Sequence, residues 1–195
     1  MASTTFNTNT SYVSWGAILA GSVLAGAFSV VMLQFGSAVG LSATDIANSD
    51  VLVTPQKVFA IGFWILWIQV MASGIGGYIA GRLRQPLENA STHESEVRDG
   101  AHGVLVWATS TLAVFAAAAI MGAFAALAPE AADTAREAVK SPELLANQKG
   151  ISIILAFGAA STALASAVVS WFAATKGGDH RDNEVDLRGY FSFKN

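Results

Sequence analysis

The sequence predicts an all-α membrane protein, a bundle of four transmembrane helices in a single domain covering residues 1–195. Charged residues make up only 13% of the chain, against roughly 25% in soluble domains, and hydrophobic residues make up 53%. The charges also avoid four long stretches, residues 14–44, 58–81, 100–129 and 150–175. An uncharged apolar run of about 18 or more residues is typical of a membrane-spanning helix.

Composition also excludes several classes of protein. A soluble helical bundle needs charges on the outer face of each helix, and these runs have none. We expect no cleaved signal peptide, because residues 1–12 carry no Lys or Arg and the first apolar run is longer than a signal sequence requires. The chain has no cysteine, which excludes disulfides and thiolate chemistry. A net charge of −3 without a basic block argues against nucleic acid as a partner.

The first predicted span covers about residues 15–41 and follows a polar N-terminal tail, residues 1–14. The second span covers about residues 58–81. Thr54 stands directly before Pro55, which places a capping hydroxyl ahead of a proline at the first helical position. Each run is long enough to cross a hydrocarbon core of about 30 Å.

The third predicted span covers about residues 101–128. Ser91 and Glu94 have the spacing of a capping box, so this helix is expected to start on the water side. The fourth span covers about residues 151–175, and the segment before it, residues 129–150, is expected to be a solvated linker with short helical turns. A Ser-Pro-Glu sequence within that segment repeats the helix-start signal.

The distribution of Lys and Arg predicts the orientation. The N-terminal tail, the segment 82–100 and the C-terminal tail 176–195 carry seven of these residues, and the opposite side carries four. This bias predicts that both termini lie in the cytoplasm. The two hairpins then start on the same side, so an internal repeat would consist of two tandem parallel hairpins. Sparse matches between them leave both an internal duplication and chance similarity open.

The segment GIGGYIAGRLR at residues 74–84 has the glycine content of a phosphate-binding loop. Such a loop follows a strand and opens a helix, whereas this segment closes an apolar run. Gly77 and Gly81 instead form G-x-x-x-G, a spacing that allows two membrane helices to approach closely. Arg82 and Arg84 follow the apolar run, where we expect them to meet lipid headgroups.

The first span carries a similar stripe of small residues for helix packing, Ser22, Gly26, Gly36 and Gly40. Packing within one bundle is the favoured interpretation, and a stripe left over for another subunit is the alternative. Gln34 and Gln69, polar residues at membrane depth, are expected to hydrogen-bond across the helix pair, with a pore or ligand role as the alternative.

His102, at the start of the third span, is predicted to be a hydrogen-bonded cap, with an axial ligand to haem or a pigment as the weaker alternative. No Asp or Glu is expected in the interior. The sequence therefore offers no proton relay, no acid–base pair and no Ser–His–Asp set, and it predicts no catalytic, cofactor-binding or metal residue and no enzyme.

Three segments carry a resemblance to a known family: SWGAILAG at 14–21, GGYIAGRLR at 76–84 and RDGAHGVLVWA at 98–108. Together they resemble small bacterial inner-membrane proteins that are often catalogued as "PhnA-like" and have no assigned function. The resemblance implies a bacterial cytoplasmic membrane. It singles out Arg98, Asp99 and His102 as a cluster at the cytoplasmic mouth, beside Arg82 and Arg84. The zinc or phosphonate chemistry that the label suggests does not fit a chain without Cys or an acid–His cluster.

The function expected from these features is that of a structural or accessory subunit. Small-residue helix faces would dock the chain into a larger membrane complex of respiratory or photosynthetic type, or onto itself. The partners would be membrane lipids and other membrane subunits, without haem, pigment or another cofactor. Four aromatic residues of the two tails are candidate partner anchors, Phe6, Tyr190, Phe191 and Phe193. The alternative function is a small channel or carrier for a neutral solute.

Overall fold

The computed structural model describes residues 12–42, 55–86, 90–126 and 142–185, and the regular structure within these ranges is all helical. The helices are α1 Trp15–Ser42, α2 Pro55–Leu83, α3 Thr92–Ala126 and α4 Pro142–Asp182. All four are long and apolar enough to cross a membrane. The predicted fold class, an all-α bundle of four membrane-spanning helices, is confirmed, and the composition is that of a multi-pass membrane protein.

The helix starts follow the predicted capping signals. α2 begins at Pro55, and the Glu94 N–H donates to the Ser91 Oγ at 3.2 Å in the first turn of α3. α4 begins at Pro142 and ends at Asp182, so it is longer at both ends than the apolar run that predicted it. The part of the predicted linker before Pro142 lies outside the described residues.

The four helices meet at one end of the bundle, which we call the polar end. α1 and α3 begin there, and α2 and α4 end there: the Ser14 N–H donates to His102, and Arg181 donates to the Arg84 carbonyl oxygen. The two helical hairpins are therefore parallel to each other. α2 packs most extensively against α4, and α1 and α4 each contact both α2 and α3. Arg84 directly follows α2, and residues 98–102 belong to the part of α3 that lies at this end.

Glycine allows the close contact between α2 and α4. A Cβ on Gly77 would overlap the backbone of Ser170, and a Cβ on Gly81 would overlap the backbone of Ala174. The Ser170 hydroxyl in the same contact donates to the Gly103 carbonyl of α3 at 2.6 Å. Where lipid removes the hydrophobic drive between helices, such packing and hydrogen bonding hold them together.

Only some of the small residues in the α1 stripe lie at contacts with other helices. A Cβ on Gly36 would overlap the Trp64 indole of α2, and the Ser22 hydroxyl lies 3.5 Å from the Val106 carbonyl oxygen of α3. Gly26 does not take part in packing within the bundle, because a Cβ there would meet no atom within 4 Å; the alternative, contact with another subunit, stays a prediction. The side-chain surroundings of Gly40 lie outside the described residues.

Burial is concentrated in the half of the bundle next to the polar end. The core cluster consists of Ile18, Ala80 and Val106, each 0% exposed. In the other half, which we call the apolar half, whole helical turns are exposed. Residues 112–117 of α3 are all exposed, and so are residues 157–161 of α4. Because an α-helix turns once in 3.6 residues, each of these segments is exposed over at least one full turn.

Two further sequence predictions concern residues outside the close contacts. Gln34 is exposed and Gln69 half-buried, and no hydrogen bond joins them in the described part of the chain, so the predicted pairing across α1 and α2 is wrong. The four aromatic candidates for partner anchors, Phe6, Tyr190, Phe191 and Phe193, lie outside the described residues.

Candidate functional site

A cluster of charged side chains is buried at the polar end, where α2 ends, α3 begins and α4 ends. We call Arg84, Arg98, Asp99, His102 and Arg181 the polar cluster. Arg84 is 1% exposed and Asp99 is 2% exposed. The Asp99 carboxylate accepts from the Arg84 Nε and, at 3.3 Å each, from the two terminal nitrogens of Arg181. Three helix ends are thus joined at one buried carboxylate.

Two adjacent glycines in α4 make room for this carboxylate. A Cβ on Gly178 would overlap the Asp99 carboxylate, and a Cβ on Gly177 would overlap the Tyr78 carbonyl of α2. On α3, a Cβ on Gly100 would overlap the Trp171 indole of α4. The absence of side chains at these positions lets α4 approach both α2 and α3 at the level of Asp99.

Arg181 has a second role, at the end of α2. Its Nη1 donates to the Gly81 carbonyl at 2.7 Å and to the Arg84 carbonyl at 3.0 Å. The last carbonyl groups of a helix have no partner within the helix, so a cation there satisfies them and also complements the helix dipole. Arg181 is also paired with Asp182 at 2.7 Å. One side chain of α4 therefore holds both the backbone of α2 and the acid of α3.

His102 connects α3 to the start of α1. Its side chain is buried, 2% exposed. The Nδ1 lies 2.7 Å from the Arg98 carbonyl oxygen, and the Nε2 accepts from the Ser14 N–H at 2.9 Å. A carbonyl only accepts and a backbone N–H only donates, so this arrangement requires a neutral imidazole with its proton on Nδ1. Both ring nitrogens are occupied, which favours the predicted capping role over an axial ligand.

Arg98 and Tyr12 hold the chain just before α1. The Arg98 Nη2 donates to the Tyr12 carbonyl at 3.0 Å, and its Cζ lies 4.3 Å from the centroid of the Tyr12 ring. The Tyr12 hydroxyl donates to the Glu94 Oε1 at 2.7 Å. This hydrogen bond to a carboxylate raises the pKa of Tyr12 above its ordinary value.

Several buried guanidinium nitrogens have no hydrogen-bond partner among the described residues. They are the Arg82 Nη1, the Arg84 Nη2 and the Arg98 Nε and Nη1. Buried polar groups in proteins are nearly always paired, and an unpaired buried donor costs free energy. The cluster therefore offers donors that the described part of the chain does not use.

The structure brings together the residues that the sequence groups at the polar end, with corrections to their environment. The prediction that no acidic residue is buried is wrong: Asp99 is buried because two arginines donate to it. The prediction that Arg84 meets lipid headgroups is wrong as well, because its side chain is inside the bundle. Arg82 is half-buried and donates through Nη2 to the Val185 carbonyl at 2.9 Å.

Sequence reasoning missed Arg181, Gly177 and Gly178. The segment TKGGDHRD at residues 175–182 carries a signal of the same type as GGYIAGRLR, glycines followed by a cation at the end of an apolar run. Its position in the polar C-terminal tail concealed it, because the helix continues past the last apolar residue.

The described residues contain no group of three or more His, Asp or Glu side chains placed to hold a metal ion. Two arginines pair with Asp99, and two backbone groups occupy the ring nitrogens of His102. The polar cluster therefore fixes the helix ends, and some of its arginine N–H donors have no partner among the described residues. Comparison of the chain with protein-family models, with curated proteins and with solved structures finds no match.

Proposed function

We propose that this protein is a non-catalytic structural subunit of a membrane assembly, built from further copies of the chain or from larger membrane subunits. One observation carries the proposal: the polar half is packed internally, whereas residues 112–117 and 157–161 in the apolar half are exposed on every face of their helices. Helices that leave full turns uncovered within their own chain are available for contact with other transmembrane helices.

Open glycines in the apolar half support the same role. A Cβ on Gly62, Gly122 or Gly158 would meet no atom within 4 Å, in contrast to Gly77 and Gly81 at the α2–α4 contact. Small residues on a lipid-facing surface let the backbone of another helix approach closely. We therefore assign the G-x-x-x-G spacing of α2 to the internal contact and the open glycines to contact with another subunit.

The alternative, a channel or carrier for a neutral solute, needs polar side chains that line a continuous path. The two fully buried hydroxyls of α4 are engaged: Ser166 and Ser170 are each 0% exposed and donate to backbone carbonyls at 2.8 and 2.6 Å. A path through a single chain gains no support from these residues, which favours the structural role.

The location that fits this role is a bacterial cytoplasmic membrane with the polar end on the cytoplasmic side. The excess of Lys and Arg near the polar end supports this orientation. The resemblance to the "PhnA-like" proteins supports the bacterial membrane and remains a prediction.

The test is the mass of the native particle after purification in a mild detergent. We expect a particle heavier than one chain of 20.2 kDa, containing further copies or other subunits. Gly122→Leu and Gly158→Leu should lower that mass while leaving the helical content unchanged, because a Cβ at either position would meet no atom within 4 Å.

Gly16→Leu is the matched control for these variants. It makes the same substitution at an open glycine beside the polar end, and it should leave the particle intact. A wild-type particle that contains a single chain and no other protein would contradict the proposal. Solute flux through proteoliposomes made with a homo-oligomer would favour the channel instead.

A further inference from the structure

Positive charge exceeds negative charge inside the polar end. Arg84 is 1% exposed and Arg98 is 6% exposed, and the only buried acidic residue in the described ranges is Asp99. That carboxylate is also shared with Arg181, whose side chain is 12% exposed. Burying a cation without a counter-charge costs free energy, so buried charges in proteins are paired. Arg84 and Arg181 pair with Asp99, Arg181 also pairs with Asp182, and no carboxylate in the described ranges forms an ion pair with Arg98.

The excess charge coincides with unused donors. Arg84 places its Nε on Asp99 and its Nη1 on the Gln85 carbonyl at 3.1 Å, and its buried Nη2 has no partner among the described residues. Arg98 uses only its Nη2, on the Tyr12 carbonyl, and its Nε and Nη1 are buried without a partner in the same ranges. Three N–H-bearing nitrogens on two neighbouring chain segments are therefore available to one kind of ligand, an oxyanion.

These donors are also held in place before any ligand arrives. The Tyr12 ring lies against the Arg98 guanidinium, and the Tyr12 hydroxyl is fixed by Glu94. Arg84 is fixed by Asp99, which Arg181 holds from the other side. Donors that are already ordered lose little conformational freedom on binding.

We propose that Arg84 and Arg98 bind a phosphate group at the polar end of the bundle. Phosphate is the oxyanion that suits this site, because its oxygens accept from several directions and arginine is the side chain best matched to it. The site lies where the ends of the spans meet the headgroup layer, so an anionic phospholipid is one source of the group and soluble phosphate is the other. The role is independent of whether the protein forms an assembly.

The test uses the full chain, purified in detergent free of phosphate and lipid, and three probes: phosphatidylglycerol, phosphatidylcholine and inorganic phosphate. Native mass spectrometry counts lipid adducts per chain, and thermal unfolding reports ligand stabilisation. We expect wild-type protein to retain phosphatidylglycerol in preference to phosphatidylcholine. Arg98→Gln should require about tenfold more phosphatidylglycerol for the same occupancy, since a charged hydrogen-bond donor is lost.

Lys176→Gln is the matched control, because it removes the same charge at the same end from a side chain that is 61% exposed and paired with Asp179. It should bind as wild type does. Stabilisation by inorganic phosphate that Arg98→Gln abolishes would also support the site and would identify soluble phosphate as the source.

Equal binding by wild type and Arg98→Gln, or no binding of any probe by the wild type, would overturn the proposal. If Arg98→Gln does not fold, Arg98→Lys replaces it; this variant keeps the charge but has fewer donor directions. We expect it to bind more weakly than wild type, and equal binding would overturn the proposal as well.

Discussion

At the scale of single residues, Asp99 holds the ends of α2 and α4 against α3 at the polar end. The Arg-Asp-x-x-His spacing draws attention to this acid, and helical geometry places His102 one turn from Arg98, as the hydrogen bond to the Arg98 carbonyl requires. Burial of Asp99 could not be predicted from the local sequence, because one of its partners, Arg181, is 82 residues away. Charge-free runs predict spans, but they do not show which flanking charges fold inward.

We predict that Asp99→Asn lowers the free energy of unfolding by about 3–5 kcal/mol, because it leaves the buried Arg84 without its carboxylate and removes one of the two acidic partners of Arg181. Asp179→Asn is the control, since Asp179 forms an exposed pair with Lys176 at the same end and should cost at most about 1 kcal/mol. Both values are measured in detergent by unfolding with increasing SDS, followed by circular dichroism. Equal losses in the two variants would show that the burial of Asp99 does not matter.

At the scale of elements, the number and order of the helices follow directly from the four uncharged runs, and the caps at Pro55 and Ser91 set two of the starts. Helix contacts were less predictable. G-x-x-x-G at Gly77 and Gly81 lies at a close contact, whereas Gly26, part of an equally plausible stripe, meets nothing. Spacing identifies a face that can be packed, and the partner across that face depends on the rotation of each helix.

We predict that Gly81→Ala destabilises the bundle by about 1–3 kcal/mol, because the new Cβ overlaps the backbone of Ala174, and a helix backbone cannot give way as the end of a flexible side chain can. Gly74→Ala is the matched control on the same helix. Its Cβ would lie 3.5 Å from the Val169 Cγ1, an ordinary van der Waals distance, so the higher helix propensity of Ala should leave stability unchanged or raise it by up to about 1 kcal/mol. SDS unfolding measures both variants, and a stabilised Gly81→Ala would refute the close approach of α2 and α4.

At the scale of the whole molecule, packing is uneven from one end of the bundle to the other, and also from one helix to the next. Hydropathy predicts four spans of similar character, yet the structure buries 22% of the most apolar window of α1 and only 6% of that of α3. Hydropathy does not distinguish a helix that faces its own chain from one that faces lipid or another subunit, since both environments are apolar. The sequence could therefore predict the crossings and not the uneven packing.

Four crossings predict that the loop between α2 and α3 and the end of α4 lie on one face of the membrane, and the segment between α3 and α4 on the other. The chain has no cysteine, so a single cysteine substitution can show directly on which side of the membrane its position lies. In sealed vesicles, a membrane-impermeant thiol reagent should label Gln85→Cys and Asn183→Cys from the same face. Ala138→Cys should react only from the opposite face. Labelling of all three from one side would rule out four crossings.

The placement of Arg181 in the last turn of α4 has a consequence for biosynthesis. A chain is made from its N-terminus, so α1, α2 and α3 leave the ribosome before Arg181 exists. Until it arrives, Asp99 has only Arg84 of its two cationic partners, and the Gly81 and Arg84 carbonyls lack the donor that α4 brings. A nascent chain that stops short of residue 181 thus has Asp99 paired with one arginine instead of two, and the polar end is completed only when the last turn of α4 has been made.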